Sequence, residues 1–319
     1  MMRGIAALLL FAALCGGVHA QPAYPAKPIR MVVPFPPGGG TDIIARYLAD
    51  PLGQRLREPV VIDNRPGAAT NIGMDAVAKA APDGYTLLMA TITLTSNASL
   101  YKSLPFDPAR AFAPVSLVVN APTLLVANAR FAPQSPADIV AYTKAHPNEV
   151  NYASYGPGSG AHLAAELFRS ITGADMVHIP YKGGGPATTA VLTGEVQLLF
   201  SSVLPVMSNV AAGKLRPVAI ASKRRMASLP GVPTFIESGI DYVTGTWFGV
   251  LAPAGTPKAV VERLSREIVA IAATEDFRKR VAAEGAEVIG DSPAEFAEFL
   301  RHETARWAAT VKAAHIQPD

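Results

Sequence analysis

Apolar and polar positions alternate along this chain with two periods. Short apolar runs of strand length recur between stretches whose apolar residues return every three to four positions. Ile29-Arg30-Met31-Val32-Val33 reads as a strand. After a loop over residues 34–40, the spacing predicts a helix from Ile43, capped by Thr41 or Asp42. Pro51 falls inside that helical pattern. It is expected to kink or divide the helix, because proline has no N–H to give and crowds the preceding turn. Val60-Val61-Ile62 is the next strand, and Asp63-Asn64-Arg65-Pro66-Gly67 a turn before a helix reaching about Ala80. Pro82-Asp83-Gly84 turns the chain into a strand over residues 86–90.

The alternation resumes past the middle. Ser135-Pro136 opens a helix with serine as cap and proline at its first position. Val150-Asn151-Tyr152 is a strand, residues 154–160 a Gly/Pro-rich loop, and a helix follows from Ala161. Residues 176–179, 196–200 and 217–221 read as further strands. The last part is mainly helical. Thr256-Pro257 is expected to cap a helix carrying Val260, Val261, Leu264, Ile268 and Ile271 on one face. Ser292-Pro293-Ala294-Glu295 is a capping box for a final helix with Phe296, Phe299, Leu300, Trp307 and Val311 inward. Trp307 reads as core.

Strands alternating with helices predict an α/β fold with mostly parallel sheets. Residues 115–128 and 246–253 are apolar, β-rich and broken by Pro or Gly, which suits segments crossing between two domains. Two crossovers make the first domain discontinuous, over residues 21–122 plus 248–319, with residues 123–247 forming the second. The length of 319 residues exceeds what one ordinary core holds, and 50% hydrophobic residues suffice for two.

The start of the chain reads as an export leader over residues 1–20. A short basic start at Arg3 precedes an apolar run of about ten residues. That run is too short to span a bilayer, which needs roughly 20 helical residues. Val18-His19-Ala20 has small residues where a signal peptidase needs them, before Gln21. The cut removes Cys15, the sole cysteine, and Ala12 and Leu14 do not suit a lipid-anchored start. Removing Arg3 from 28 basic residues leaves 27 against 25 acidic, a balance of +2. That is too small to argue for nucleic acid or a membrane surface. The expectation is a soluble, monomeric periplasmic protein.

Candidate chemistry sits in two loops that each join a strand to a helix. One is Pro34-Phe35-Pro36-Pro37-Gly38-Gly39-Gly40-Thr41-Asp42, the other Tyr152-Ala153-Ser154-Tyr155-Gly156-Pro157-Gly158-Ser159-Gly160-Ala161-His162. In open α/β sheets ligands bind beyond the carboxyl ends of strands, where such loops lie. Glycine lets backbone N–H groups approach a ligand, and a helix N-terminus behind the loop adds about half a positive charge. Neither loop contains Lys or Arg, which disfavours a phosphate cradle and favours a carboxylate held by neutral donors. Thr91, Ser201 and Ser202 end strands and are candidate hydroxyl donors, and Tyr181-Lys182-Gly183-Gly184-Gly185 is a further weak candidate. Phe35 is either an apolar lid or core.

Enzyme signals are poor. His162 and Glu166 are four apart on one helix, but no third metal ligand has fitting spacing, so a helix-surface pair is expected. His302-Glu303 lacks the second histidine of a zinc protease motif. Ser154 and Ser159 do not fit a nucleophile elbow. No catalytic residue, metal or cofactor is assigned.

Together with these loops, several motifs in order resemble the Bug-type receptors of the tripartite tricarboxylate transporter family. They are Tyr24-Pro25, Lys27-Pro28-Ile29-Arg30, Asn64-Arg65-Pro66-Gly67, Asn71-Ile72-Gly73 and Pro82-Asp83-Gly84-Tyr85-Thr86-Leu87-Leu88. Later ones are His178-Ile179-Pro180-Tyr181-Lys182-Gly183, Leu229-Pro230, Val232-Pro233-Thr234, Trp247-Phe248-Gly249 and Ala252-Pro253-Ala254-Gly255-Thr256-Pro257. The resemblance implies a bilobed, periplasmic-binding-protein-like fold of type II, with two mixed, mostly parallel sheets and a ligand cleft between lobes. It implies capture of a small carboxylate by lobe closure and delivery to a two-component membrane permease. A sensor presenting the same closed form to a signalling protein is the alternative. Carried onto this sequence, the ligand-binding positions are Phe35, Gly38, Gly39, Gly40, Asp42, Thr91, Ser154, Gly158, Ser159, Gly160 and His162. Ser201 joins them as a departure, standing where many members have aspartate. Ala68-Ala69-Thr70 is a second departure, replacing a more glycine-rich stretch.

Overall fold

The computed structural model describes residues 24–313 and Ile316. The proposed leader and its cut lie outside the described residues. Ten strands form two mixed sheets that share one long strand. In the first sheet β1 (Ile29–Val33) pairs parallel with β2 (Val60–Asn64) and β3 (Thr86–Thr91). β3 pairs antiparallel with β9 (Gly245–Pro253), which pairs antiparallel with the first part of β4 (Phe112–Asn128). The short β10 (Glu287–Val288) closes that edge on β4. Beyond Pro122, β4 enters the second sheet. There it lies between β7 (Leu198–Ser202) and β8 (Leu215–Ile220), both antiparallel to it. β5 (Asn151–Ser154) pairs parallel with β7 and with β6 (Val177–Pro180). The two segments expected to cross between domains are thus β4 and β9, hydrogen-bonded side by side. The architecture is a bilobed periplasmic-binding-protein-like fold.

Helices cover both sheets. α1 (Gly40–Leu56) begins three residues before the expected start, and Pro51 does not divide it. The helix starts early because Gly39 is its cap and Asp42 reaches backward from the third helical position, so neither Thr41 nor Asp42 is the cap residue. α2 (Asn71–Ala78) follows a single 3-10 turn over Ala68–Thr70. α3 (Thr93–Leu100) has no counterpart among the expected elements, since its four buried polar residues hide the apolar period. α4 (Pro136–Ala145) has the expected cap, completed by Asp138 as a capping box. α5 (Gly160–Thr172) and α6 (Gly184–Thr193) follow the glycine turns after β5 and β6. α7 (Met207–Ala211) is one short turn.

α8 (Lys258–Ala272) buries Val261, Leu264, Ile268 and Ile271 as its period predicts. Thr256 does not cap it. Its hydroxyl donates to the Pro253 carbonyl at 2.7 Å, and Pro257 holds the cap position. α9 (Glu275–Ala283) precedes α10 (Pro293–Ala313), which opens on the expected box: Ser292 N–H donates to Glu295 at 2.9 Å. Trp307 is buried, and its indole N–H donates to Glu303 at 3.1 Å.

One core runs through both sheets around β1, β3, β4 and β9, with Met31, Ile44, Leu48, Val118, Leu124 and Val250 fully buried. A second lies under α5 around Phe168, Phe200, Phe235 and Tyr242. Together they hold the carboxyl ends of β1, β3, β5, β6 and β7 in fixed positions.

Candidate functional site

Each candidate loop lies at the carboxyl end of its strand and runs into a helix. The first amides of α1, α5 and α6 lack intrahelical partners by construction, so each helix presents free donors at Gly40, Gly160 and Gly184. The macrodipole makes those ends positive.

The first turn is organised by Asp42, whose side chain is almost fully buried. One carboxylate oxygen accepts from Gly38 N–H at 3.0 Å and from Arg46 Nε at 2.8 Å. The other accepts from Asn64 Nδ2 at 2.9 Å, and Asn64 also donates to the Phe35 carbonyl at 3.0 Å. Burial pushes the Asp42 carboxyl up, but the bonds from Arg46, Gly38 and Asn64 outweigh it and hold it below its ordinary value. Asp42 stays charged and orders the turn. The Gly38 amide is therefore engaged, while Gly39 N–H has no acceptor among the described residues. Phe35 is half-buried and packs against the main core.

The second turn is tied in the same register. Gly158 N–H donates to His162 Nδ1 at 3.1 Å, and Ser159 Oγ accepts from His162 N–H at 3.3 Å. Ser154 Oγ accepts from Gly156 N–H at 3.1 Å and lies 2.6 Å from His178 Nε2. The His162 and His178 rings stack with centroids 4.1 Å apart. His162 is buried rather than part of a helix-surface pair, because it stacks inward while Glu166 is taken by Tyr152 and Arg169. Among the described residues no group of three or more His, Cys, Asp or Glu is placed to hold a metal.

The two sides approach each other at the first turn. A Cβ placed on Gly40 would lie 3.2 Å from Ser202 Oγ and 3.3 Å from Leu204. One on Gly183 would lie 3.1 Å from Pro36. One on Gly184 would lie 3.7 Å from both Gly39 Cα and the Tyr155 ring, so the first turn and Tyr155 converge on the start of α6. Tyr155 donates to Ser201, which donates to the Ser202 carbonyl. Burial pushes the Tyr155 phenol well above its ordinary value, and the Ser201 contact opposes this only in part. Ser201 and Ser202 lie within the end of β7 rather than after it, and both are buried. Thr91 ends β3 and is buried.

The two glycine turns do not face each other directly. The first lies against Gly183, Gly184 and Ser202, and the second against α3 and β9, where a Cβ on Gly160 would lie 2.8 Å from Thr246 Oγ1. The sequence reading missed Asn64, Tyr155 and α3 as parts of this arrangement. Asn64 had a signal in its Asn-Arg-Pro-Gly turn. The start of α6 had one in three consecutive glycines. Tyr155 had none beyond lying in the second loop.

The Ala68-Ala69-Thr70 stretch is a further finding. All three residues lie in the left-handed region, with φ of 45°, 49° and 75°. Each costs about 1 kcal/mol relative to glycine there. Asn97 Nδ2 holds the stretch by donating to the Ala69 carbonyl at 2.8 Å. A crevice of about 720 Å³ lies elsewhere, between the 221–228 loop, β9 and α9–α10, and shares no residue with the glycine turns.

Comparison with known proteins gives a consistent picture. The sequence profile of the tripartite tricarboxylate transporter family receptor TctC matches residues 44–316. Protein BugT of Bordetella pertussis is 40% identical over 317 residues, covering 98% of this chain and 97% of that protein. An R. palustris protein with adipate superposes with a TM-score of 0.90 at 34% identity, covering 93% of this chain and 100% of the other. MatC from Rhodopseudomonas palustris with bound malate gives a TM-score of 0.86 at 30% identity, covering 90% and 100%.

Proposed function

Because the chain belongs to the tripartite tricarboxylate transporter receptor family, we propose that it is a periplasmic receptor for a small carboxylate, gripped between two closing lobes and passed to a two-component membrane permease. The first lobe comprises residues 21–122 plus 248–319 and the second residues 123–247. The observation that carries the reading is the approach of the first turn, at the start of α1, to the start of α6 and to Tyr155 of the second loop, in loops that supply neutral donors. The cations nearest by sequence are committed or solvent-facing: Arg46 pairs with Asp42, and Lys182 is exposed. Such a site stabilises a carboxylate through dipoles and amide hydrogen bonds. Similarity to proteins holding adipate and malate supports a carboxylate with two acidic groups.

The donors belong to both sides, so a ligand touching both shifts an open–closed equilibrium toward closed. Phe35, Gly38, Asp42, Ser154, Gly158, Ser159 and His162 shape the turns, while Gly39, Gly40, Thr91, Gly160 and Ser201 stand nearest the ligand. The test is thermal denaturation with a panel of mono-, di- and tricarboxylates. A binder of the native state raises the melting temperature with concentration. No shift with any acid, and no acid co-purifying by mass spectrometry, would remove the reading.

A further inference from the structure

α3 buries polar side chains that gripping a ligand does not explain. Thr93, Thr95, Ser96 and Asn97 are all nearly or fully buried on this eight-residue helix. Buried polar groups need partners, and two of these find theirs at home. Thr95 donates to the Ile92 carbonyl at 2.9 Å, and Asn97 Nδ2 donates to Ala69 O and to Asn71 Oδ1. Ser96 differs: its hydroxyl donates at 3.4 Å to the carbonyl of Gly158, on the opposite side of the crevice. Asn97 Oδ1 has no partner among the described residues and would lie 3.1 Å from a Cβ on Gly158. Leu100 Cδ1 would lie 2.9 Å from it.

An apolar contact accompanies this polar one. Leu163 of α5 is fully buried in a cluster with Ile92, Leu100, Trp307 and Val311. Its partners there come from α3 and the residue before it and from the C-terminal segment of Trp307, Val311 and Ile316, so part of the shelter of Leu163 comes from the other side. Gly158 is thus glycine for two reasons. Its φ of 71° is left-handed, and α3 leaves no room for a side chain.

We propose that α3 is the closure latch: Ser96, Asn97 and Leu100 are positioning residues that receive the second turn at Gly158 and the side chain of Leu163, so that the closed form is favoured before any ligand contact is counted. This rests on the two-lobe receptor reading, and its test needs no ligand. Cys15, the sole cysteine, lies in the proposed leader, so Leu163→Cys in the chain from Gln21 onward gives one reporter thiol. Its labelling rate in the ligand-free protein reads how often the lobes part. Adding Gly158→Ala, whose Cβ meets α3 only on closing, should speed labelling by roughly tenfold. Adding Leu100→Val as well, which removes the clashing Cδ1, should bring the rate back to within about threefold of the reporter alone. Ser96→Ala, which adds no bulk, should speed it by about threefold. If neither Gly158→Ala nor Ser96→Ala changes the rate, or Leu100→Val fails to restore it, α3 is no latch. A carboxylate panel that produces no melting shift would end the receptor reading and leave these rates standing.

Discussion

The turn at residues 37–42 and the turn at residues 157–162 are built in register, Pro37-Gly38-Gly39-Gly40-Thr41-Asp42 against Pro157-Gly158-Ser159-Gly160-Ala161-His162. In each, a left-handed glycine sends its N–H to the side chain four residues on, at the third position of the helix. The acceptors differ. Asp42 is a carboxylate held charged by Arg46, Gly38 and Asn64, whereas His162 accepts through a bare ring nitrogen and stacks on His178. The surroundings differ too. Around the first turn Gly39 and Gly40 face glycines and serines of the other side, while the second turn is packed against α3. One local design is thus used twice: the first copy leaves the Gly39 amide without an acceptor among the described residues, and the second is packed against α3.

The largest effect should come from placing bulk on the first turn. Gly39→Val has room in the turn itself, since its Cβ meets only the Pro36 carbonyl at 3.9 Å. It should weaken carboxylate affinity about 100-fold, or about 2.7 kcal/mol, by calorimetry, with the ligand-free melting temperature unchanged. An unchanged affinity would show that the first turn is not the gripping one.

Removing the acceptors should rank next. Asp42→Ala frees Gly38 N–H, Arg46 and Asn64 together and should cost about 2 kcal/mol in denaturant unfolding. His162→Gln, which keeps bulk and an acceptor, should cost about 1 kcal/mol. Equal losses would mean that the charge on Asp42 adds nothing. The pH dependence sharpens the point. The folded carboxyl titrates below its unfolded counterpart. Its contribution is therefore complete above the unfolded value of about 3.9 and is lost as pH falls through the lower folded value. The stability gap between the native chain and Asp42→Asn should stay constant from about pH 7 to about pH 5 and shrink below about pH 4. The smallest effect belongs to Tyr155→Phe, which removes the donor to Ser201 at the point joining the turns. Affinity should fall by no more than about threefold.

Much of this was legible in the chain. The strands were, because β1, β3 and β5 are apolar runs between turn residues. So were the caps at Ser135 and Ser292, whose partners sit three residues on. Helix starts that rely on glycine were not. Gly39, the cap residue, carries no capping side chain, and Asp42 organises the turn from inside the helix. Thr256 looks like a cap but turns its hydroxyl back to Pro253. α3 escaped because Thr93, Thr95, Ser96 and Asn97 face inward, and a polar buried face cancels the periodicity that marks a helix. The glycine loops were visible, but the engagement of the Gly38 and Gly158 amides was not, since those bonds depend on side-chain rotamers.

The central claim is that uncharged amides at converging helix starts hold the ligand. A crystal structure with a bound dicarboxylate such as adipate tests it most directly. The account predicts carboxylate oxygens within about 3.2 Å of N–H groups at the starts of α1, α5 or α6, with donors from both sides of the crevice. A carboxylate paired instead with a lysine or arginine side chain, or seated in the crevice beside Trp247, would contradict it.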